Sequence, residues 1–174
     1  GAQFEDPLFA GLNGTPVDLI ALDIEGDGTD EIAVLYGGSP GTIAVFAVSG
    51  DGSPPLLIQE LVVNVGNNPV DCDGKDLNGD GMEDIVVVNA DDSTLTVLIT
   101  TVERQNLHTF TSKTVPITGS DQKLSCVAVI DWNSNFNPSG DVVVGVDKID
   151  EAENDAFQIL LDVASDESNG PTFS

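Results

Sequence analysis

The chain has 174 residues, which is enough for one domain with a single buried core. Its 30 acidic and 5 basic side chains give a formal net charge of −25, so there is too little Lys and Arg to neutralise nucleic-acid phosphates or an anionic membrane surface. A hydrophobic content of 40% argues against a wholly disordered chain, and no apolar run approaches the ~20 residues of a membrane span.

The excess of acidic side chains has two explanations. Divalent cations are the natural counterpart of clustered carboxylates, whereas solubility or adaptation to salt explains acids that are spread over a surface. The sequence contains no signal peptide, so we expect a mature form or an internal fragment of a longer protein.

The first repeat unit spans 16–68 and follows an apolar segment at 4–12. Runs of β-branched residues separated by Gly, Asn, Asp and Pro predict four strands in this unit, at 16–22, 31–36, 42–48 and 56–65. The first two strands flank a nine-residue acidic stretch that we call the first loop, Asp23-Ile-Glu-Gly-Asp-Gly-Thr-Asp-Glu31. No window of the chain has a helical period.

A second unit at 69–122 repeats this order. Its predicted strands are at 69–75, 84–89, 94–100 and 108–117. The second loop again lies between the first two strands and reads Asp76-Leu-Asn-Gly-Asp-Gly-Met-Glu-Asp84, which begins 53 residues after the first loop. A repeated loop in matched surroundings predicts a repeat architecture.

A third unit at 123–164 has predicted strands at 124–130, 141–146 and 156–163. Its loop, at 131–141, has no Gly at position six and two extra residues before Asp141. This third loop is either a weak metal site or a diverged loop in which Trp132 fills the apolar slot of Ile24 and Leu77. No fourth strand is predicted, and 165–174 reads as a polar tail.

Four strands in about 53 residues are typical of a propeller blade. We therefore predict an all-β protein of three propeller blades, with an outer strand within 1–15 and a third blade that lacks its own outer strand. An ordinary β-sandwich is the alternative. Propellers have about four to eight blades, so three cannot close a ring and would leave two apolar faces open. Either two chains form a six-bladed homodimer, which we favour, or the blades belong to a longer array.

The two complete loops have the composition of a calcium site. Calcium takes six to eight oxygen ligands, and alternate residues at positions one, three and five of a tight loop place oxygens on one side. Gly28 and Gly81, at position six, allow the sharp turn; position seven offers a backbone carbonyl and position nine closes the site. The predicted ligands are Asp23, Glu25, Asp27, the Thr29 carbonyl and Glu31 in the first loop, and Asp76, Asn78, Asp80, the Met82 carbonyl and Asp84 in the second.

Two further expectations follow from the loop positions. Asp30 and Glu83, at position eight, are expected to point outward. Position twelve, where an EF-hand needs a bidentate Glu, is Val34 or Val87 inside a predicted strand, which excludes an EF-hand. The alternative for both loops is a solvated Asp/Gly turn without an ion.

The pattern Asp-x-Asn-Gly-Asp-Gly-x-x-Asp, followed by an apolar strand and repeated at blade spacing, resembles the FG-GAP (VCBS) repeats of integrin α-subunit propellers and bacterial secreted proteins. This resemblance implies a β-propeller with calcium in the hairpin between the first two strands of a blade. The second loop matches at every ligand position, whereas the first has the longer Glu at positions three and nine. The resemblance implies two Ca²⁺ ions per chain and an extracellular or cell-surface location.

Other chemistry is poorly supported by the sequence. His108 is the only histidine and begins a predicted outer strand, which argues against a histidine-based triad or a zinc site. Cys72 and Cys126 lie at positions of opposite parity before their loops, so they either form a disulfide across two blades or remain as two small core thiols.

We therefore expect a non-catalytic, calcium-stabilised propeller that binds a protein or another ligand, as a homodimer or beside further blades. The alternative is an accessory or catalytic propeller of a polysaccharide-active protein, since paired carboxylates can hydrolyse glycosides. Lectin-like binding usually uses aromatic platforms, and aromatics make up only 5% of the chain.

Overall fold

The computed structural model describes residues 14–49, 56–102, 108–117, 122–130, 141–148, 156–160, 163–166 and 170–173. In these ranges every regular element is a β-strand, which confirms the all-β prediction, and no helix suited to crossing a membrane occurs there. The strands are β1 (Pro16–Leu22), β2 (Glu31–Tyr36), β3 (Thr42–Ser49), β4 (Leu56–Asn64), β5 (Pro69–Lys75), β6 (Asp84–Asn89), β7 (Thr94–Val102), β8 (His108–Pro116), β9 (Gln122–Ile130), β10 (Asp141–Lys148), β11 (Ala156–Leu160), β12 (Val163–Asp166) and β13 (Gly170–Phe173).

The strands form antiparallel sheets, none of which is closed. The first sheet has the order β1-β2-β3-β4 and the second the order β5-β6-β7-β8. The third contains β9, β10 and β11, and β12 pairs with β13 in a separate hairpin. Each of the first three sheets is a simple meander, as short strands joined by tight Gly-, Pro- and Asp-rich turns favour.

The predicted strand positions agree closely with the structure. β1, β2, β5 and β6 have the predicted bounds, and the other predicted strands differ by one to three residues at an end. The prediction of a plain polar tail at 165–174 is wrong, because β12 and β13 pair from Val163↔Phe173 to Asp166↔Gly170. A short hairpin needs no apolar period, so its composition hides it. The predicted N-terminal strand at 4–12 and residues 131–140 of the third loop lie outside the described residues.

The central strands of the second sheet, β6 and β7, are buried on both faces. Ile85 and Val87 of β6 pack against the first sheet, in a cluster with Leu35, Val45 and Leu98. Val86 and Val88 point the other way, into a cluster with the third sheet that also contains Leu95, Leu124 and Val144. Successive side chains of a strand point to opposite faces, so all six residues of β6 are buried and its sequence reads as a continuous apolar run.

The first sheet is also apolar on its other face. Val34, Tyr36, Ala44 and Phe46 form a third cluster there, and each is at most 7% exposed. The expectation of an open apolar face is therefore wrong for the centre of this sheet. Its exposed large apolar side chains lie on β1 and β4, at Val17, Leu19, Ile58 and Val62.

The first strands of the three sheets, β1, β5 and β9, lie side by side. Carboxylates on one strand accept hydrogen bonds from backbone N–H groups of the next: Asp18 from Cys72 (3.1 Å), Asp71 from Val127 (2.7 Å) and Asp73 from Val129 (2.7 Å). We call these the inter-sheet bridges. Asp18 and Asp71 both close the sequence Pro-Val-Asp, five residues before their loops, so this repeated motif fixes how successive sheets pack.

A register irregularity recurs near the start of each first strand. The shift lies between Pro16 and Asp18 in β1 and between Pro69 and Asp71 in β5. In the third sheet Gly145 pairs with Cys126 and Val146 with Leu124, which leaves Ser125 as the extra residue of β9. Bulges increase the local twist of a strand. The third unit thus keeps the strand geometry of the other two, although the sequence of its loop has diverged.

Candidate metal centre

The first and second loops occupy equivalent places, between β1 and β2 and between β5 and β6. Their backbones turn at glycines with positive φ: Gly26 (67°) and Gly28 (86°) in the first loop, Gly79 (79°) and Gly81 (89°) in the second. L-residues with a side chain rarely adopt this conformation, so both position four and position six require glycine. From the sequence, glycine is predicted to be required at position six alone, so the need at position four is an addition from the structure.

The aspartate at position one points back into its own loop. The two carboxylate oxygens of Asp23 accept hydrogen bonds from the N–H groups of Asp27 (3.0 Å) and Gly28 (2.7 Å). Asp76 does the same with Asp80 (3.3 Å) and Gly81 (2.9 Å). One carboxylate therefore holds the backbone of positions five and six in both loops.

The aspartate at position five fixes position seven. Asp27 accepts a hydrogen bond from the N–H of Thr29 (2.8 Å), and Asp80 accepts one from the N–H of Met82 (2.9 Å). Position seven is where a backbone carbonyl ligand is predicted. In the second loop Asn78 adds hydrogen bonds to the backbone and the side chain of Asp80, both at 2.9 Å.

The acid at position nine is buried and accepts a hydrogen bond from the backbone N–H of position two. Glu31 accepts a hydrogen bond from the N–H of Ile24 (3.2 Å), and Asp84 accepts one from the N–H of Leu77 (2.8 Å). Ile24 and Leu77, at position two, are buried in the apolar clusters of their sheets, so the loops are anchored in the core.

Asp84 lies in an unfavourable environment for a carboxylate. It is fully buried, and its second oxygen accepts a hydrogen bond from the N–H of Thr100 (2.8 Å). The pKa of Asp84 is raised to about 7, mainly by burial and in addition by the charges of Asp80 and Asp76, while the N–H groups of Thr100 and Leu77 act in the opposite direction. A buried carboxylate among like charges is an unfavourable arrangement that a bound cation would offset.

The donor set of each loop suits calcium. Carboxylate, amide and carbonyl oxygens are the ligands that Ca²⁺ prefers, and the loops contain neither His nor Cys. Within the described ranges no three His, Cys, Asp or Glu side chains are grouped closely enough to hold a metal ion. The loop carboxylates instead accept hydrogen bonds from backbone N–H groups.

The two loops contact each other through position eight of the second loop. The N–H of Glu83 donates to the carbonyl of Asp23 (3.0 Å), and the Glu83 carboxylate accepts a hydrogen bond from the N–H of Asp23 (2.9 Å). The expectation that Glu83 points outward is therefore wrong, whereas Asp30 is exposed as expected. A contact between two repeats depends on how their sheets pack. The residue pattern within one repeat carries no information about that packing.

The two cysteines are free. Cys72 is buried and faces the first sheet, and Cys126 is exposed on the face of β9 opposite to Val127. The parity argument is right about opposite faces, but the side chains point away from each other. Burial raises the pKa of the Cys72 thiol, and the adjacent Asp18 carboxylate raises it further, which makes this thiol unreactive.

His108 begins β8, as predicted, and is half-buried. Its Nδ1 is the one buried side-chain nitrogen or oxygen without a hydrogen-bond partner among the described residues.

Searches with protein-family models and against curated proteins found no match to this chain. The resemblance of its loops to FG-GAP repeats stays a prediction, supported by the loop sequences and their equivalent positions in two sheets.

Proposed function

We propose that this chain is a non-catalytic, calcium-stabilised β-propeller module of a secreted or cell-surface protein, where it binds a protein or another ligand. The observation that carries the proposal is the hydrogen-bond framework that the two loops share. In each loop position one holds positions five and six, position five holds position seven, and position nine holds position two. Two solvated turns without an ion would have no reason to share the same hydrogen-bond framework.

Calcium would act structurally in this module. The nine residues of the first loop include Asp23, Glu25, Asp27 and Glu31 and no basic residue. An ion that binds these groups in the folded chain but not in the unfolded chain raises the free energy of unfolding. Extracellular modules bind calcium with dissociation constants of roughly 10⁻⁴ to 10⁻³ M, which matches a secreted or surface location.

The propeller arrangement is supported by the way the sheets repeat. Three meander sheets pack face to face with their first strands side by side, and the inter-sheet bridges recur at successive junctions. We propose that two chains complete a six-bladed ring. The contact with a second copy would then be made by the exposed Val17 and Leu19 on the β1 edge of the first sheet, beside the buried cluster at its centre, and by the exposed Cys126 and Ala128 of the third sheet.

Thermal unfolding with calcium, with magnesium and with excess chelator tests the proposed function. We expect calcium to raise the melting temperature of the wild type and Asp80→Ala to remove part of that gain. A melting temperature that does not respond to calcium would overturn the proposal. Light scattering tests the assembly: a monomer at all concentrations would exclude the dimer and favour a longer array of blades.

A further inference from the structure

The backbones of the two loops are joined in both directions at a single pair of residues. Glu83 donates its N–H to the carbonyl of Asp23 and accepts the N–H of Asp23 on its carboxylate, at 3.0 and 2.9 Å. Both polar groups of the Asp23 backbone are therefore held by one residue of the neighbouring sheet. A hydrogen bond to a charged acceptor is stronger than one between neutral groups.

Each partner of this pair lies next to predicted ligands of its own loop. Glu83 stands between Met82 and Asp84, whose carbonyl and carboxylate are predicted ligands in the second loop. Asp23 is position one of the first loop, and its carboxylate also holds the N–H groups of Asp27 and Gly28. A change that orders the backbone at 82–84 is thus transmitted to Asp23, whose carboxylate holds the backbone of the first loop.

A second contact adds to this connection. A Cβ atom placed on Gly26 would lie 2.9 Å from the carbonyl oxygen of Gly81, so the two loop backbones pass each other with no room for a side chain. Neither loop backbone can move at this contact without displacing the other. Tightly packed groups of this kind transmit small displacements rather than absorb them.

We propose that Glu83 is a positioning residue that couples the two loops, so that calcium in the second loop raises the calcium affinity of the first. This rests on the proposed function, because it requires both loops to bind the ion. The effect is reciprocal, since coupling between two binding sites is a shared free energy. Calcium in the first loop therefore raises the affinity of the second by the same factor.

Asp30 provides a matched control. It occupies position eight of the first loop, as Glu83 does in the second, but it is exposed. Substitution at Asp30 removes the same charge from the same loop position without touching the contact between the loops. An effect of Glu83 that arises from charge alone would be reproduced at Asp30.

Calorimetric calcium titration, with native mass spectrometry to count ions, tests the coupling. Asp80→Ala disables the second loop, and we expect it to weaken binding at the first loop by about fivefold or more, within the usual range of about 5- to 150-fold for coupled sites. In the Glu83→Ala background the same change should weaken the first loop clearly less than in the wild type, because the carboxylate contact is lost while the Glu83 N–H bond and the contact at Gly26 remain. Glu83→Gln keeps an acceptor for the Asp23 N–H and should retain most of the coupling, and Asp30→Ala should retain all of it.

Amide hydrogen exchange gives a second measurement that needs no change at Glu83. In Asp27→Ala, whose first loop is disabled, calcium in the second loop should slow exchange of the Asp23 N–H. The coupling is refuted if two ions bind but Asp80→Ala leaves the affinity of the first loop unchanged, if Asp30→Ala matches Glu83→Ala, or if the Asp23 N–H does not respond. A wild type that binds no calcium would instead overturn the proposed function itself.

Discussion

Substitution of Asp71 tests the inter-sheet bridges directly. Its carboxylate accepts the N–H of Val127 at 2.7 Å, and Val127 is only 9% exposed. Asp71→Ala leaves that N–H without its partner, and hydrogen bonds to charged groups contribute about 1.5–3 kcal/mol. We therefore expect Asp71→Ala to lower the free energy of unfolding by about 2 kcal/mol, which corresponds to about 4–8 °C in the melting temperature of a chain of this size.

Asp71→Asn separates the hydrogen bond from the charge. The amide oxygen of Asn can still accept the Val127 N–H, and the change removes an unfavourable interaction: burial raises the pKa of Asp71, and the neighbouring Asp18 carboxylate raises it further. We expect Asp71→Asn to stay within about 1 kcal/mol of the wild type, because the bridge is kept and the repulsion is lost.

Denaturant unfolding measures the free energy of unfolding of both variants. Saturating calcium is present throughout, so that differences in calcium occupancy of the loops do not enter the comparison. Asp147→Ala is the control, because Asp147 is an exposed strand residue of the third sheet. The reasoning is refuted if Asp71→Ala is as stable as the control, or if Asp71→Asn is as damaging as Asp71→Ala. Hydrogen exchange at the Val127 N–H should accelerate in Asp71→Ala alone.

Three further predictions concern the loops and the thiols. In excess chelator, the free energy of unfolding of the wild type relative to Asp84→Asn should be highest near pH 4. It should fall by at most ~4 kcal/mol as the pH rises through about 7, because the folded-state pKa of Asp84 is raised to about 7 from 3.8. Unfolding curves across pH measure this fall, and calcium should reverse it. A thiol reagent near pH 8 should label Cys126 in the folded protein and Cys72 only after denaturation, as counted by mass spectrometry. Gly28→Ala should cost about 1–2 kcal/mol for its positive φ alone, and Gly26→Ala more, because its Cβ also meets the neighbouring loop.

One result would contradict each of these three predictions. A chelated protein whose stability relative to Asp84→Asn does not fall between pH 4 and 8 would mean that this carboxyl titrates normally. Two labelled thiols in the folded protein would place Cys72 at the surface. Equal melting temperatures for the two glycine variants would show that the loops are not in contact at Gly26.

Much of the strand pattern could be predicted from the sequence, because the β-branched runs are bounded by strong turn residues and occur three times. The bounds of β6 were predicted to the residue, since its apolar run begins at the loop and ends at Asn89. The hydrogen-bond framework of the loops was not predicted: Asp23 and Asp76 were expected as calcium ligands from their spacing, and the structure shows their carboxylates accepting backbone N–H groups of their own loops.

What could not be predicted depends on contacts between units. Glu83 was expected to face solvent, because the spacing within one loop does not reveal a neighbouring loop. For the same reason no contact was predicted for Asp18 or Asp71, although both belong to a repeated Pro-Val-Asp. The pairing of β12 with β13 was missed because two four-residue strands are too short to give a clear alternating pattern in the sequence.

The burial of β6 on both faces also bears on how such an array tolerates change. A sheet at the end of a stack can accept polar residues on its free face, but a sheet between two others has no face on which mutations are neutral. Val86 and Ile85 are equally intolerant of charge, for they lie against different neighbours. An array that lengthens by duplication must therefore supply each new internal unit with two apolar faces at once, which restricts the units from which it can grow.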